Sequence, residues 1–111
     1  MTTPAPKGAG PAGKRLWLSV LDRYDLDEHE AALLVQAVRT VDLCERLEAI
    51  VTADGPVIDS PQGRKAHPAA VELRQQRLTF ARLLAALRLP EDDAGRPQRR
   101  VGVRGVHRVG P

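Results

Sequence analysis

The chain has 111 residues, a formal net charge of +3 at pH 7 and an aromatic content of 3%, which fits one small domain with an aliphatic core. So few aromatic residues disfavour a single-strand nucleic-acid module, which stacks bases on aromatic rings. Cys44 is the single cysteine, which excludes an internal disulfide and a cysteine-based metal cluster. No apolar run approaches the roughly 20 residues that a membrane helix needs.

The N-terminal residues 1–12 are mostly Pro, Gly, Ala and Thr, and we expect them to form a flexible arm because they offer little to pack. They contain no apolar stretch of the kind that a secretory signal needs, so the sequence favours a cytoplasmic protein. From Gly13 to about Tyr24 the apolar residues recur at helical spacing, which predicts a short first helix. Its apolar stripe consists of Leu16, Trp17, Val20, Leu21 and Tyr24.

The second predicted helix is long and begins at Asp27, a good N-cap with Glu30 three residues later, as in a capping box. It runs to about Ala53, before Asp54-Gly55-Pro56 ends it. At 1.5 Å per residue it is roughly 40 Å long, and its apolar arc is wider than one partner helix would cover. The arc consists of Leu33, Leu34, Ala37, Val38, Val41, Cys44, Leu47 and Val51, with Leu43 and Ile50 outside its centre.

The segment that follows, residues 55–67, contains turn chemistry at Ser60-Pro61-Gln62-Gly63. It is compatible with an ordered loop. It is equally compatible with a short β-hairpin that has Val57-Ile58 on one arm and Arg64-Lys65-Ala66 on the other. The sequence leaves both alternatives open.

The third predicted helix has Pro68 at its first position, where proline is well tolerated, and ends near Leu89, ahead of Pro90. It has two apolar sides. Ala69, Leu73, Phe80, Leu83, Leu84 and Leu87 form the wider arc, and Val71, Leu78, Ala85 and Leu89 form the narrower one.

A helix with two apolar sides needs two partners, and we expect the second partner to be another copy of the chain. The alternative is a tight three-helix hairpin that covers both arcs itself. The predicted self-association residues are Leu43, Ile50, Val71, Leu78 and Leu89.

The sequence therefore predicts a mainly α fold. A short N-terminal helix precedes a long helical hairpin, residues 27–53 and 68–89, joined by a loop or a small β-hairpin. Residues 13–90 form the helical core and oligomerisation domain, and residues 91–111 form a disordered Arg-rich tail.

The sequence offers no catalytic or metal-binding constellation. His29, His67 and His107 share no short spacing that would bring metal ligands together, and His67 can instead cap the helix that starts at Pro68. Cys44 lies within an apolar arc and is interpreted as a small buried hydrophobic residue, because a nucleophile needs partly open, positively biased surroundings and a base. We predict a non-enzyme with no metal and no cofactor.

Arginine content is a second functional signal, since 14 of the 17 basic residues are Arg and Arg suits bidentate contacts with phosphate and carboxylate. Residues 27–54 carry a net charge of −5, residues 68–90 carry +3 and residues 91–111 carry +2. The arginines can therefore contact DNA phosphates or pair with the acidic second helix, within a subunit or between subunits. The candidate DNA-binding residues are Lys14, Arg15, Arg64, Lys65, Arg74, Arg77, Arg88, Arg99 and Arg100.

Three groups of residues, spanning about residues 11–90, follow one another along the chain. The groups are Gly13-Lys14-Arg15-Leu16-Trp17 with Ser19-Val20-Leu21 and Tyr24-Asp25-Leu26; Glu30, Leu33-Leu34, Arg39, Asp42 and Asp54-Gly55; and His67-Pro68, Glu72-Leu73-Arg74, Arg82-Leu83-Leu84 and Leu87. With these groups in this order and at this spacing, the chain resembles a phage terminase small subunit, of the short type found in actinobacterial tailed phages and prophages. It departs from the family pattern just after Leu87.

The resemblance implies a non-catalytic DNA-packaging component in the cytoplasm of the bacterial host. Family members assemble into homo-oligomeric rings, recognise the packaging start on double-stranded viral DNA, and recruit and regulate the large terminase subunit, which holds the ATPase and nuclease. No membrane is implied. The alternative function is a small helical interaction adaptor or regulator, antitoxin-like, that does not form a ring.

Overall fold

The computed structural model describes residues 3–90, and the predicted Arg-rich tail, with Arg99 and Arg100, lies outside the described residues. The described chain is mainly helical with three helices, as the sequence predicted, and a short β-hairpin lies between the second helix and the third. The elements are α1 Pro11–Arg23, α2 Glu28–Asp54, β1 Val57–Ser60, β2 Gly63–Ala66 and α3 Pro68–Leu87.

The first helix begins at Pro11 rather than at Gly13, because proline suits the first helical turn and the preceding Gly10 acts as N-cap. Its N-terminus is satisfied by a side chain from another helix. The Asp42 carboxylate of α2 accepts the backbone N–H of Gly10 at 2.7 Å and that of Gly13 at 2.8 Å. A helix start leaves its first four N–H positions without partners, and Pro11 has no N–H. One carboxylate therefore binds two of the three N–H groups that remain, at the end of the helix that favours negative charge.

Glycine at position 13 permits this contact because it has no side chain. A Cβ at Gly13 would overlap the Asp42 carboxylate and lie 2.7 Å from Val38 Cγ1. A Cβ at Gly10 would lie 3.0 Å from Asp42 Oδ1. The close approach of α1 to α2 therefore depends on Gly13 being glycine.

The composition of residues 1–12 suggested a flexible arm, but residues 3–10 make defined contacts with the helices. Ala5 and Ala9 pack against the core, and the indole Nε1 of Trp17 donates to the Thr3 carbonyl at 2.9 Å. The segment is held by contacts with α1 and α2, which the composition of residues 1–12 does not reveal.

The capping box predicted at the start of α2 is present at Asp27 and Glu30. The backbone N–H of Asp27 donates to Glu30 Oε1 at 2.8 Å. This bond gives the buried carboxylate of Glu30 a backbone donor.

The main hydrophobic core lies where α1 packs on the first half of α2 and on the end of α3. The low aromatic content suggested a purely aliphatic core. The core is not purely aliphatic, because two of the three aromatic residues belong to it. Leu89 packs against this core from beyond the end of α3. The buried members are Trp17, Val20, Tyr24, Leu34, Val38 and Leu87.

The segment between the long helices is a β-hairpin, which decides between the two alternatives that the sequence left open. The strands pair antiparallel, with Ile58 opposite Lys65 and Asp59 opposite Arg64. Gly63 has a φ of 112° at the turn, a value that glycine adopts without strain.

The third helix ends at Leu87, earlier than the predicted Leu89. Arg88 adopts the left-handed conformation, with φ 53° and ψ 47°, and its N–H donates to the Ala85 carbonyl. Beyond it, the hydroxyl of Tyr24 donates to the Pro90 carbonyl at 2.8 Å. The end of α3 is thereby fixed to the end of α1.

We expect the substitution Asp42→Ala to lower the free energy of unfolding by about 2–4 kcal/mol, since each buried donor left without an acceptor costs about 1–3 kcal/mol. Urea denaturation followed by circular dichroism measures the change. The control is Asp59→Ala, which removes an exposed carboxylate of β1 and should change stability by less than about 0.5 kcal/mol. Equal effects of the two substitutions would contradict the capping role of Asp42.

Candidate functional site

The first helix covers one half of the α2–α3 pair. Its N-terminus lies at Asp42, and the residues of α2 in the main core, Leu34 and Val38, precede that point. We name the remainder, residues 44–78, the distal half: α2 from Cys44, the β-hairpin, and α3 as far as Leu78. Within it, the buried apolar side chains are Cys44, Ala69 and Leu73.

The distal half has exposed apolar side chains. Ile50 is 43% exposed, Val71 is 39% exposed and Leu78 is 49% exposed. Val71 and Leu78 are seven residues apart, so they lie on the same face of α3. These three residues are among those predicted for self-association. Of the other two, Leu43 is half-buried and Leu89 packs against the main core, so Leu89 is partly used within the subunit.

An open groove of about 470 Å³ lies between α2 and α3 in the distal half. Its apolar lining includes Val51, Leu73 and Leu78, and its charged lining consists of Glu48, Arg74 and Arg77. The groove therefore combines apolar surface with two arginines and one carboxylate.

An ion pair crosses the groove, with Arg77 Nη2 lying 2.6 Å from Glu48 Oε1. Both side chains are about half exposed, so the pair stabilises the fold only modestly. Within the subunit, the guanidinium of Arg77 thus pairs with the acidic second helix. The sequence had left pairing and DNA contact open for this residue.

Cys44 is buried beside this ion pair. Burial raises the pKa of the Cys44 thiol above its ordinary value, Arg77 opposes the shift and Glu45 adds to it. The thiol is therefore protonated at neutral pH, which removes the thiolate that a nucleophile needs. Cys44 packs as a small apolar side chain.

The predicted DNA-binding residues that lie within residues 3–90 are not gathered into one patch. Lys14 and Arg15 are exposed at the start of α1, next to Asp42 in the middle of α2. The hairpin residues Arg64 and Lys65 lie beyond the end of α2, about 18 Å farther along its axis at 1.5 Å per residue. Adjacent residues of a strand point to opposite faces, so these two cations cannot share one face of the hairpin.

The remaining described candidates lie on and after α3. Arg74 is exposed at the edge of the groove, and Arg88 is exposed at the end of the helix. Arg64 lies 3.9 Å from Asp59 on the neighbouring strand, with both side chains largely in solvent, where such a pair contributes little. Arg64, Lys65 and Arg74 are thus exposed cations of the distal half. Arg77, which pairs with Glu48, and Arg46, which is not a predicted DNA-binding residue, are exposed there as well.

His67 connects the end of α2 with the start of α3. Its Nδ1 accepts the backbone N–H of Ala69 at 2.9 Å, and its Nε2 lies 2.8 Å from Asp54 Oδ2. Because Nδ1 accepts, the proton of the neutral ring is on Nε2, which donates to the carboxylate. The predicted capping role is confirmed, whereas the Asp54 contact was not predicted.

No group of three or more potential metal ligands comes together within residues 3–90. In the same range no helix has the length and apolar character needed to cross a membrane. No family model, curated protein or solved structure matches the chain.

We expect His67→Ala to lower the free energy of unfolding by about 1 kcal/mol, the usual cost of losing an N-cap side chain. His67→Asn should restore most of that loss, because asparagine is a good N-cap residue. Thermal unfolding followed by circular dichroism compares the variants. His29→Ala, which removes an exposed histidine from the first turn of α2, is the control. A loss as large for His29→Ala would contradict the assigned role of His67.

Proposed function

We propose that the chain is a terminase small subunit, a non-catalytic component that recognises viral DNA and recruits and regulates the large terminase subunit. The residues of the three ordered sequence groups support this proposal. The protein acts in the cytoplasm of the bacterial host, and the ATPase and nuclease activities belong to the large subunit.

The exposed apolar surface of the distal half is the observation that carries the proposal. Ile50, Val71 and Leu78 are all more than a third exposed, although large apolar side chains gain free energy when they leave water. Other copies of the chain bury these residues when distal halves pack side by side. The proposed contact is head-to-tail, so that one surface of each copy meets a different surface of the next, and a contact of this kind forms a ring when the rotation from copy to copy closes.

The same half presents the cations that contact DNA. Arg64, Lys65 and Arg74 bind phosphates without reading the base sequence. One subunit contributes few contacts, but a ring repeats them, so its affinity for DNA exceeds that of a single subunit. Arg77 is bound to Glu48 and stabilises the helix pair rather than contacting DNA.

The proposed DNA contacts predict a salt-dependent affinity for double-stranded DNA. We expect the triple variant Arg64→Ala, Lys65→Ala and Arg74→Ala to bind more weakly. The slope of log affinity against log salt should also become less steep, by about 0.9 for each phosphate that the variant no longer neutralises. Fluorescence anisotropy with a labelled duplex, titrated at several salt concentrations, measures both quantities.

The double variant Arg39→Ala with Arg82→Ala is the matched control, because it removes two exposed cations that lie outside the distal half and that the proposal does not use. Its affinity and salt slope should equal those of the unaltered chain. Absence of DNA binding by the unaltered chain at low salt would contradict the proposal. Equally weakened binding in the triple variant and the control would contradict the assignment of the contacts to the distal half.

A further inference from the structure

A second groove lies at the opposite end of the molecule from the β-hairpin, along the C-terminal part of α1. It has a volume of about 690 Å³. Its apolar lining includes Trp17, Leu18, Leu21 and Leu26. Leu18 is 51% exposed, so a ligand in this groove would remove a large apolar side chain from water.

The charged side chains that line this groove are acidic. Asp22 and Asp25 are both exposed and border it. The nearby Arg23 lies over the ring of Tyr24, with 5.6 Å between the guanidinium carbon and the ring centre. A groove with two carboxylates beside leucine side chains fits a segment that carries both arginine and apolar residues, and it repels nucleic acid.

The chain itself supplies such a segment. Residues 91–111 contain five Arg and four Val, and no acidic residue follows Asp93. Arg and Val are interspersed from Arg96 to Arg108, so an extended stretch would bring both kinds of side chain to one surface. The charge of this segment is opposite to that of the groove.

Pro90, the residue that precedes this segment, is held at the edge of the groove. The hydroxyl of Tyr24, which lines the groove, donates to the Pro90 carbonyl at 2.8 Å. From Pro90 to Arg99 an extended chain reaches about 30 Å. The groove runs about 9 Å along α1 from Tyr24 to Leu18, at 1.5 Å per residue. The arginines after Pro90 can therefore reach every part of the groove of their own chain.

We propose that residues 96–108 bind in this groove of the same chain. Arginine side chains pair with Asp22 and Asp25, and valine side chains pack against Leu18 and Leu26. Because the segment is tethered at Pro90, binding is intramolecular and occurs at a high effective concentration. Bound in this way, the arginines are withheld from other anions. If the function proposed above holds, DNA then competes with the groove for them.

Trypsin cleavage of the full chain tests the docking without any DNA. We expect cleavage after Arg99, Arg100 and Arg104 at low salt to be several-fold faster in the variant Asp22→Asn with Asp25→Asn than in the unaltered chain. High salt should remove the difference, since it screens exposed charges. The control variant, Asp59→Asn with Glu72→Gln, neutralises two exposed carboxylates outside the groove and should be cleaved at the unaltered rate.

The neutralised variant, Asp22→Asn with Asp25→Asn, could be less stable than the unaltered chain. A second pair of variants, in which the charges of the groove and of the segment are exchanged, separates a loss of stability from a loss of docking. Asp22→Arg with Asp25→Arg should accelerate cleavage after Arg104, and the further changes Arg99→Asp with Arg100→Asp should slow it again. Nuclear magnetic resonance gives a second readout, because Trp17 is the single tryptophan and its indole N–H donates to Thr3 beside the groove. That resonance should shift in the neutralised variant and return in the charge-exchanged one.

Cleavage rates equal in the unaltered chain and the neutralised variant would overturn the proposal. Protection from trypsin that disappears on dilution, together with any oligomer, would show that the segment binds a second copy and would overturn the intramolecular assignment. Both outcomes are separable from failure of the proposed DNA-related function, since no nucleic acid is present.

Discussion

The contact between the Asp42 carboxylate and the start of α1 determines how the rest of the structure is arranged. Two backbone N–H groups, of Gly10 and Gly13, donate to it, and Gly13 is small enough to let the helices approach. The contact sets the point on α2 at which α1 begins. From there α1 covers the first half of α2 and the end of α3, where Trp17, Leu34 and Leu87 form the core.

Because α1 starts at Asp42 and covers the first half of α2, it does not cover the second half. There the two long helices rely on few buried residues, such as Leu73, and on a partly exposed ion pair between Arg77 and Glu48. The distal half thus has little core of its own but exposes Ile50, Val71 and Leu78. A small core with exposed apolar side chains favours association, because a second copy of the chain can bury the apolar side chains that α1 does not cover.

Local sequence patterns predicted the local features of the fold. The capping box at Asp27 and Glu30 and the cap at His67 follow from residue type and spacing. The three helices follow from the period of their apolar residues. The Asp42 contact could not be predicted in this way, since its partners are 29 and 32 positions away in the chain. The available signal was a carboxylate beside the apolar arc of α2, together with two glycines at the start of α1. For the same reason, charge asymmetry indicated that arginines could pair with α2 but did not identify Arg77 and Glu48.

We propose that several copies of the chain cover the distal half, and the mass of the full chain in solution shows whether they do. Multi-angle light scattering should give a mass many times the 12.1 kDa of one chain. Val71→Asn with Leu78→Asn should lower that mass, whereas Leu18→Asn, which alters an equally exposed leucine on α1, should not. A mass of one or two chains for the unaltered protein would contradict the ring and would favour a small helical adaptor.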